Sequence, residues 1–397
     1  MTGAPVRVVG SLGTAQTLAW ASSYYLPAML AAPMASDLGF PTPTVYAAFS
    51  GAMVVSALVG PWAGQAIDRH GGRIVLVGTS LIFALGLVLL GSSQGLWSMA
   101  AAWLIIGVAM GAGLYEAAFS SLVRLYGHHA RGAITGITLI AGFASTVGWP
   151  LSAWMETQFG WRNACFGWAG LHLLVGLPLN AWLPTLLPQA NHEKFAVADP
   201  TKVVASSPSP TPTAERHGYA TALLAFVFAA TWFISTAMAT HLPRMLEGAG
   251  ATLAAAVAVG ALIGPAQVAG RVLEFGFLRR VHPLLSARLA ALAHPAGVIV
   301  LLMMGPVMAP VFAILHGAGN GILTIAKGTL PLVLFGAQGY GARQGWLMMP
   351  ARIAQAAAPF LFGLALDAWG SSALWLSGAI GLAACGALML LRPATTQ

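Results

Sequence analysis

Five charged residues stand inside long apolar stretches: Arg271 within GPAQVAGRVLEF, Lys327 within GNGILTIAKGTLPL, Arg352 within MMPARIAQAAAP, Glu116 within GAGLYEAAF, and Glu274 three residues after Arg271. A charged side chain at bilayer depth costs roughly 2.5–3.5 kcal/mol on insertion scales, so it persists where it faces a partner or a wet cavity. The i, i+3 spacing lets Glu274 neutralise Arg271 on one helix face. If Glu116 pairs with one other cation, one positive charge is left over, and a cavity carrying that surplus attracts an anion. Counted at about 1.5 Å per residue, Glu116 and Lys327 lie at similar depth, so they are expected to face each other, with local pairing or snorkelling as the plainer readings. Glu116 is the one intramembrane acid without a cation nearby in its own helix, which makes it the candidate proton carrier.

The neighbouring polar and aromatic residues extend this set. Tyr24, Tyr25, Tyr115, Trp149 and Trp232 offer phenol or indole donors that orient a ligand, or serve as packing and interface anchors. Asn320 and Gln355 each place an amide where it needs a partner. His172, His294 and His316 lie in or near the same apolar stretches. A capping, interfacial or proton-coupling role is open to them, but none has metal-ligand spacing with a second His or Cys. The two cysteines, Cys165 and Cys385, also fall inside apolar blocks and argue neither for a disulfide framework nor for a metal cage. No phosphate-binding loop, nucleophile elbow or CxxC pair occurs. No cofactor is expected.

Long helices must position these residues. Charged residues are 7% of the 397, where a soluble domain carries roughly 25%, and hydrophobic residues are 58%. The apolar blocks are too long and continuous for barrel strands, which read as roughly ten-residue alternating segments. Gly, Pro and charge breaks place spans at 12–34, 43–66, 74–92, 98–122, 133–155 and 163–184, then at 218–241, 251–275, 286–304, 307–333, 345–366 and 372–391. Residues 187–217, with the run SSPSPTPT, have the composition of a flexible cytoplasmic tether between an N-terminal bundle over 1–186 and a C-terminal bundle over 218–397. No removable signal peptide is expected in the first 13 residues, which hold one Arg and no small-residue cleavage site before the first apolar block. Gly132, Gly136 and Pro150 recur 209 positions later as Gly341, Gly345 and Pro359, an internal repeat of half-chain length.

Positive charge then orients the chain. Of the 18 Lys and Arg, thirteen fall on the side of both termini, Arg162 and Arg244 on the opposite side, and three within spans. Both termini are therefore expected in the cytoplasm of a bacterial-type inner membrane. The net charge of +8 follows this sidedness rather than a basic nucleic-acid-binding domain. A sensor would bring a sizeable soluble domain and an embedded enzyme a clustered acid, base or metal constellation, and neither is present.

Between spans two and three stands GQAIDRHGGR, residues 64–73. Gly64 permits close helix approach, Asp68 sits at a helix terminus where backbone dipoles and nearby cations act on it, and Gly71 with Gly72 allows a tight turn. This loop resembles the signature of the major facilitator superfamily, with one extra position before Arg73. The equivalent second-half loop, LRRVHP at 278–283, lacks the Asp and Gly pair, so any latch there is weaker or differently built. The resemblance implies an all-α membrane protein of twelve transmembrane helices in two six-helix bundles, with Gly64, Asp68, Arg69, Gly72 and Arg73 as the gate. An Arg in span eight with a cation in span eleven further resembles the oxalate/formate and monocarboxylate porter branch. There the two hold the substrate carboxylate, which maps onto Arg271 and Arg352; the segment GWR at 160–162 also fits that branch, whereas Lys327 and Glu116 depart from it.

The resulting expectation is a secondary active transporter, not an enzyme. It would move a small organic, anionic solute by alternating access, coupled to protons or driven by exchange. The alternative is a proton-coupled multidrug or metabolite efflux pump. Arg271, Lys327, Arg352, Tyr24, Tyr25, Tyr115, Trp232, Asn320 and Gln355 would bind substrate and Glu116 would carry the proton. Membrane lipids would be its surroundings, no nucleic acid its partner, and a monomer its working form.

Overall fold

The computed structural model describes residues 6–185 and 213–391, with side chains left undescribed at 213–217, 253, 254, 257 and 279. Most of the expected tether lies outside the described residues. Helices α1 (Val6–Ala21) and α2 (Leu26–Leu38) make the first span. They are followed by α3 (Thr42–His70), α4 (Gly72–Gly91), and then α5 (Leu96–Gly113) with α6 (Tyr115–Tyr126) as the fourth span. Helix α7 (Arg131–Ala141) and the first part of α8 (Ala144–Leu171) form the fifth. Gly160, with φ 80 and ψ 162, breaks α8, and its remainder continues through a π-turn at His172–Gly176 into α9 (Leu177–Ala181) as the sixth. The second half supplies one helix per span: α10 (Thr213–Gly248), α11 (Leu253–Gly276), α12 (Pro283–Met304), α13 (Ala309–Phe335), α14 (Tyr340–Trp369) and α15 (Ala373–Leu390).

Seven continuous stretches of the described residues are long and apolar enough to cross a membrane. Leu96–Ala181 holds three of the expected spans and Tyr340–Leu390 two. The first span falls outside those seven because residues 22–25 divide it into shorter helices, and α11 supplies the eighth span. Each half thus forms a six-helix bundle. Their cores are dense with small and aliphatic residues: one cluster runs from Val8 to Leu183, two more lie wholly in the second half, and Leu332 and Tyr340 of the second half join the first.

The two ends of the molecule differ. At the end carrying Asp68 the bundles meet closely. Helix α3 lies along α14, and α7 touches α11 and α13. Gly60 and Gly64 on α3 face Gly345 and Gly341 on α14, and a Cβ on Gly64 or Gly341 would overlap the carbonyl of the other. Two small-xxx-small pairs thereby let the helix backbones touch, as glycine seams do in membranes. Asp68 completes the seam: its Oδ1 accepts from the Gly341 amide at 3.0 Å and its Oδ2 from the Ala342 amide at 2.9 Å. The carboxylate so caps the N-terminus of α14, where unpaired N–H groups and the helix dipole favour an anion.

The symmetry-related contact is built with the opposite charge. Arg131, at the start of α7, donates from Nη1 to the Val281 carbonyl at 3.1 Å, and from Nη2 to Glu274 Oε1 at 3.2 Å and the Leu278 carbonyl at 3.4 Å. A cation there meets carbonyls of the turn that follows α11, beside the end of the helix dipole that favours it. At the other end, Arg162 pairs with Asp37, and Arg244 Nη2 with Asp367 Oδ1 at 2.6 Å. Both pairs stay within one bundle. The hydrogen bonds and ion pairs described between the bundles lie from mid-depth to the Asp68 end, so this conformation is closed there.

Candidate functional site

Three helix breaks in the first half converge at mid-depth. The chain leaves helical geometry at residues 22–25, at Leu114 (φ −83, ψ −163) and around Gly142–Phe143. Non-helical backbone is tolerated at membrane depth where it is buried in protein or lines a cavity. The break at Leu114 gives α6 its own N-terminus and puts Glu116 in its first turn, where free N–H groups and the dipole favour a carboxylate. The break at 22–25 turns Trp20, Tyr24 and Tyr25 toward the centre, where Trp20 lies 5.3 Å from Tyr24 and 4.9 Å from Tyr115.

Opposite these stand the cations of the second half. Arg352 Nη2 donates to both oxygens of Glu116, at 2.9 and 3.1 Å, and its Nη1 to Gln355 Oε1 at 3.2 Å. The indole of Trp232 stacks on that of Trp20 across the interface, with centroids 6.4 Å apart and planes within 8°. The Arg352 guanidinium lies 5.3 Å from the Trp232 ring and 5.6 Å from the Trp20 ring. Lys327 Nζ sits 4.1 Å over Trp232 and makes no hydrogen bond, a cation–π contact of about 2 kcal/mol in a desolvated setting. Arg271 Nη1 donates to the Thr138 carbonyl at 3.1 Å. Lys327, Arg352 and Arg271 are each at most 6% exposed.

Two pairings differ from expectation. Glu274 does not neutralise Arg271; it binds Arg131 across the interface. Arg131 reaches it while also satisfying two carbonyls, whereas Arg271 points to α7. Glu116 faces Arg352 rather than Lys327, since the fork of a guanidinium meets both carboxylate oxygens where an ammonium meets one. Two cations, Arg271 and Lys327, therefore remain without an acid partner, one more than the sequence arithmetic left.

Five buried donors around this centre, Trp20 Nε1, Trp232 Nε1, Arg271 Nε, Lys327 Nζ and Gln355 Nε2, have no hydrogen bond among the described residues. Two amide oxygens nearby, Gln16 Oε1 and Gln344 Oε1, are also without one, while their Nε2 groups donate to the Gly113 and Lys327 carbonyls. Trp20 is a site residue that the sequence reading missed, because an indole in an apolar span looks the same whether it packs or binds. Asn320 lies elsewhere: its Nδ2 donates to Ser235 Oγ at 2.9 Å and it lines a cavity inside the second bundle. Trp149 reaches the group only through Tyr25, 6.0 Å between centroids.

Of the residues expected to form a gate, Gly64 and Asp68 form the seam described above, and Gly72 packs on Ser121 at the start of α4. The side chains of Arg69 and Arg73 are exposed. The Arg69 carbonyl accepts from Arg124 Nη2 at 3.2 Å. Among the described residues no group of three His, Cys, Asp or Glu could hold a metal ion, and both cysteines are free and buried.

A buried cluster of charged and aromatic side chains where two six-helix bundles meet, with the bundles joined by hydrogen bonds toward one end, fits a membrane transporter rather than an enzyme. Residues 12–326 match the model of the Major Facilitator Superfamily, and the chain belongs to that superfamily. Among solved structures, the fold is similar to the fucose transporter FucP in an outward conformation (TM-score 0.73, 15% identity, 97% of this chain and 99% of that one). It is similar also to the proton:xylose symporter XylE bound to 6-bromo-6-deoxy-D-glucose (0.75, 12%, 98% and 95%), and to the human organic anion transporter MFSD10 (0.65, 16%, 96% and 99%). Secondary transport of a small molecule follows from the family.

Proposed function

We propose that the protein carries a small organic anion by alternating access, with Arg271 and Lys327 supplying the counter-charge and Glu116, in its pair with Arg352, serving as the proton-coupling group. The observation that carries this reading is the pair of buried cations without acids, set among donors without acceptors. A carboxylate or phosphate brings both the charge and the acceptor oxygens that such a site lacks. Export of a cationic compound would call for an unpaired acid, and Glu116 is already bound by Arg352.

Tyr24, Tyr25, Tyr115, Trp232 and Gln355 would orient the ligand between the two charges. The Gly64, Asp68, Arg69, Gly72 and Arg73 loop would be the gate on the cytoplasmic side of an inner membrane, with both termini on that side. The domain limits 1–186, 187–217 and 218–397 and a monomeric working form belong to the same proposal.

The test is ligand-induced thermal stabilisation of the purified full chain across carboxylates, phosphorylated metabolites and cationic dyes, repeated with Lys327→Gln and Arg271→Gln. Stabilisation by anions, reduced at least tenfold in apparent affinity by either substitution, is expected. Stabilisation by cations alone overturns the anion reading. In proteoliposomes, Glu116→Gln should abolish gradient-driven flux and leave exchange intact; unchanged gradient-driven flux would remove Glu116 from coupling.

A further inference from the structure

The second bundle holds a pair of imidazoles that the central site does not use. His294 on α12 and His316 on α13 are 7% and 4% exposed, and their Nδ1 atoms are 3.0 Å apart. His294 Nε2 lies 3.2 Å from Ser377 Oγ on α15, and that hydroxyl is 2.9 Å from the Leu374 carbonyl. Phe312 lies parallel to His316, within 4° at a centroid distance of 5.8 Å. Both imidazoles line a small cavity of about 20 Å³ whose otherwise apolar wall also carries Thr231 and Asn320. That space is enough for about one water molecule, with the imidazoles, the hydroxyl and the amide as its polar partners.

We propose that His294 and His316 form a one-proton site of the second bundle, separate from the Glu116 and Arg352 pair, whose ligand is a proton delivered from the water of that cavity. The count follows from the geometry. A neutral pair carries two N–H protons on four nitrogens, and an Nδ1 to Nδ1 hydrogen bond requires one of those two nitrogens to be bare. If the Ser377 hydroxyl donates to Leu374, His294 Nε2–H donates to Ser377, His316 Nδ1–H donates to His294, and His316 Nε2 is left bare. If Ser377 donates to His294 instead, the proton order along the chain reverses.

One added proton brings both arrangements to the same cation, with His294 Nε2–H, one proton between the two Nδ1 atoms and His316 Nε2–H. Every hydrogen bond of the pair is kept. A second added proton would set N–H against N–H at 3.0 Å and is refused. Burial opposes this charge, and no facing side chain adds to or cancels it: α10 presents Thr231, α15 presents Ser377, and α11 presents Ala266 beyond Gly317. None of these side chains titrates. The charged residue on the same helix, Lys327, is eleven positions on, about 16 Å along the axis.

His316 is seven residues from the start of α13 at the end opposite Asp68, on the open side of the closed conformation. The use of this proton in coupling rests on the transporter reading; the existence of the site does not.

The experiment is imidazole-nitrogen NMR on the ¹⁵N-histidine-labelled full chain in lipid nanodiscs, titrated from pH 8 to pH 4, with signals assigned through His294→Gln and His316→Gln. The pair is expected to gain one proton, with a single proton held between the two Nδ1 atoms before and after, and Ser377→Ala should change the neutral tautomer ratio while keeping the count at one. Glu116→Gln should leave the titration in place, so that failure of the coupling role assigned to Glu116 is told apart from failure of this site. No protonation of either ring in the wild type, or two protons taken up by the pair, overturns the proposal.

Discussion

The bridge between Glu116 and Arg352 allows a charge argument to be tested quantitatively. Removing one partner of a buried ion pair costs about 3–5 kcal/mol, because the other charge stays behind unpaired. Here the two removals are unequal. Glu116→Gln leaves the buried Arg352, Arg271 and Lys327 without a facing acid among the described residues, and Arg352 keeps only the neutral Gln355 oxygen, 3.2 Å away. Arg352→Gln leaves Glu116 beside a surplus cation, since Lys327 lies over the Trp232 ring that Arg352 also touches.

The Glu116 side chain is 15% exposed, so the first loss falls near the lower limit, about 3 kcal/mol, and the second near half of that. Thermal unfolding of the purified chain reads the difference at roughly 1–2 °C per kcal/mol for a chain of 397 residues. Glu116→Gln should fall by about 3–6 °C, Arg352→Gln by about half as much. The double variant should fall by less than the sum of the two, the mark of a direct interaction. Equal losses, a larger loss for Arg352→Gln, or strict additivity would refute the surplus-cation account.

Two further outcomes follow from the closed end. Gly64→Ala places a methyl against the Gly341 carbonyl and should part α3 from α14. Spin labels at Arg69→Cys and Gln338→Cys, with Cys165 and Cys385 replaced by Ser, should then report a longer distance than in the same background with Gly64 intact. An unchanged distribution would show that the seam does not hold the bundles together. His282 precedes α12 and its Nδ1 accepts from the Leu284 amide at 3.2 Å. Burial first, then Arg131 and Arg288, lower its pKa from the ordinary histidine value. A lowered pKa contributes stability that is present above the unfolded value of 6.5 and lost as pH falls through the folded value. His282→Asn, which keeps an acceptor without a titration, should flatten the decline in melting temperature below about pH 6.5; an unchanged decline would assign it to other groups.

The spans were legible because bilayer length and breakers are local or periodic properties of the chain. The partners of the charges were not. Glu274 has Arg271 at i, i+3 and still binds Arg131, 143 positions away, because bundle docking brings a guanidinium already held by two carbonyls. The breaks at 22–25 and 114 carry no proline; SSYY and GAGLYE read as continuous apolar helix. Trp20 emerges as a site residue only when Trp232 arrives from the other half. Of the three residues in the repeated glycine and proline pattern, Gly341 and Gly345 press on α3 whereas Gly136 presses on Val9 of its own bundle, so a shared ancestry of pattern does not carry a shared task.

The interruptions at mid-depth all fall in the first half, while α10, α13 and α14 run through the same depth unbroken. The two halves therefore yield differently. A lobe built of jointed rods has its hinges at Ser22, Leu114 and Gly142, where the ladder of backbone hydrogen bonds stops and starts again. Its companion keeps each rod whole and takes its curvature from prolines instead, at Pro265, Pro331, Pro350 and Pro359.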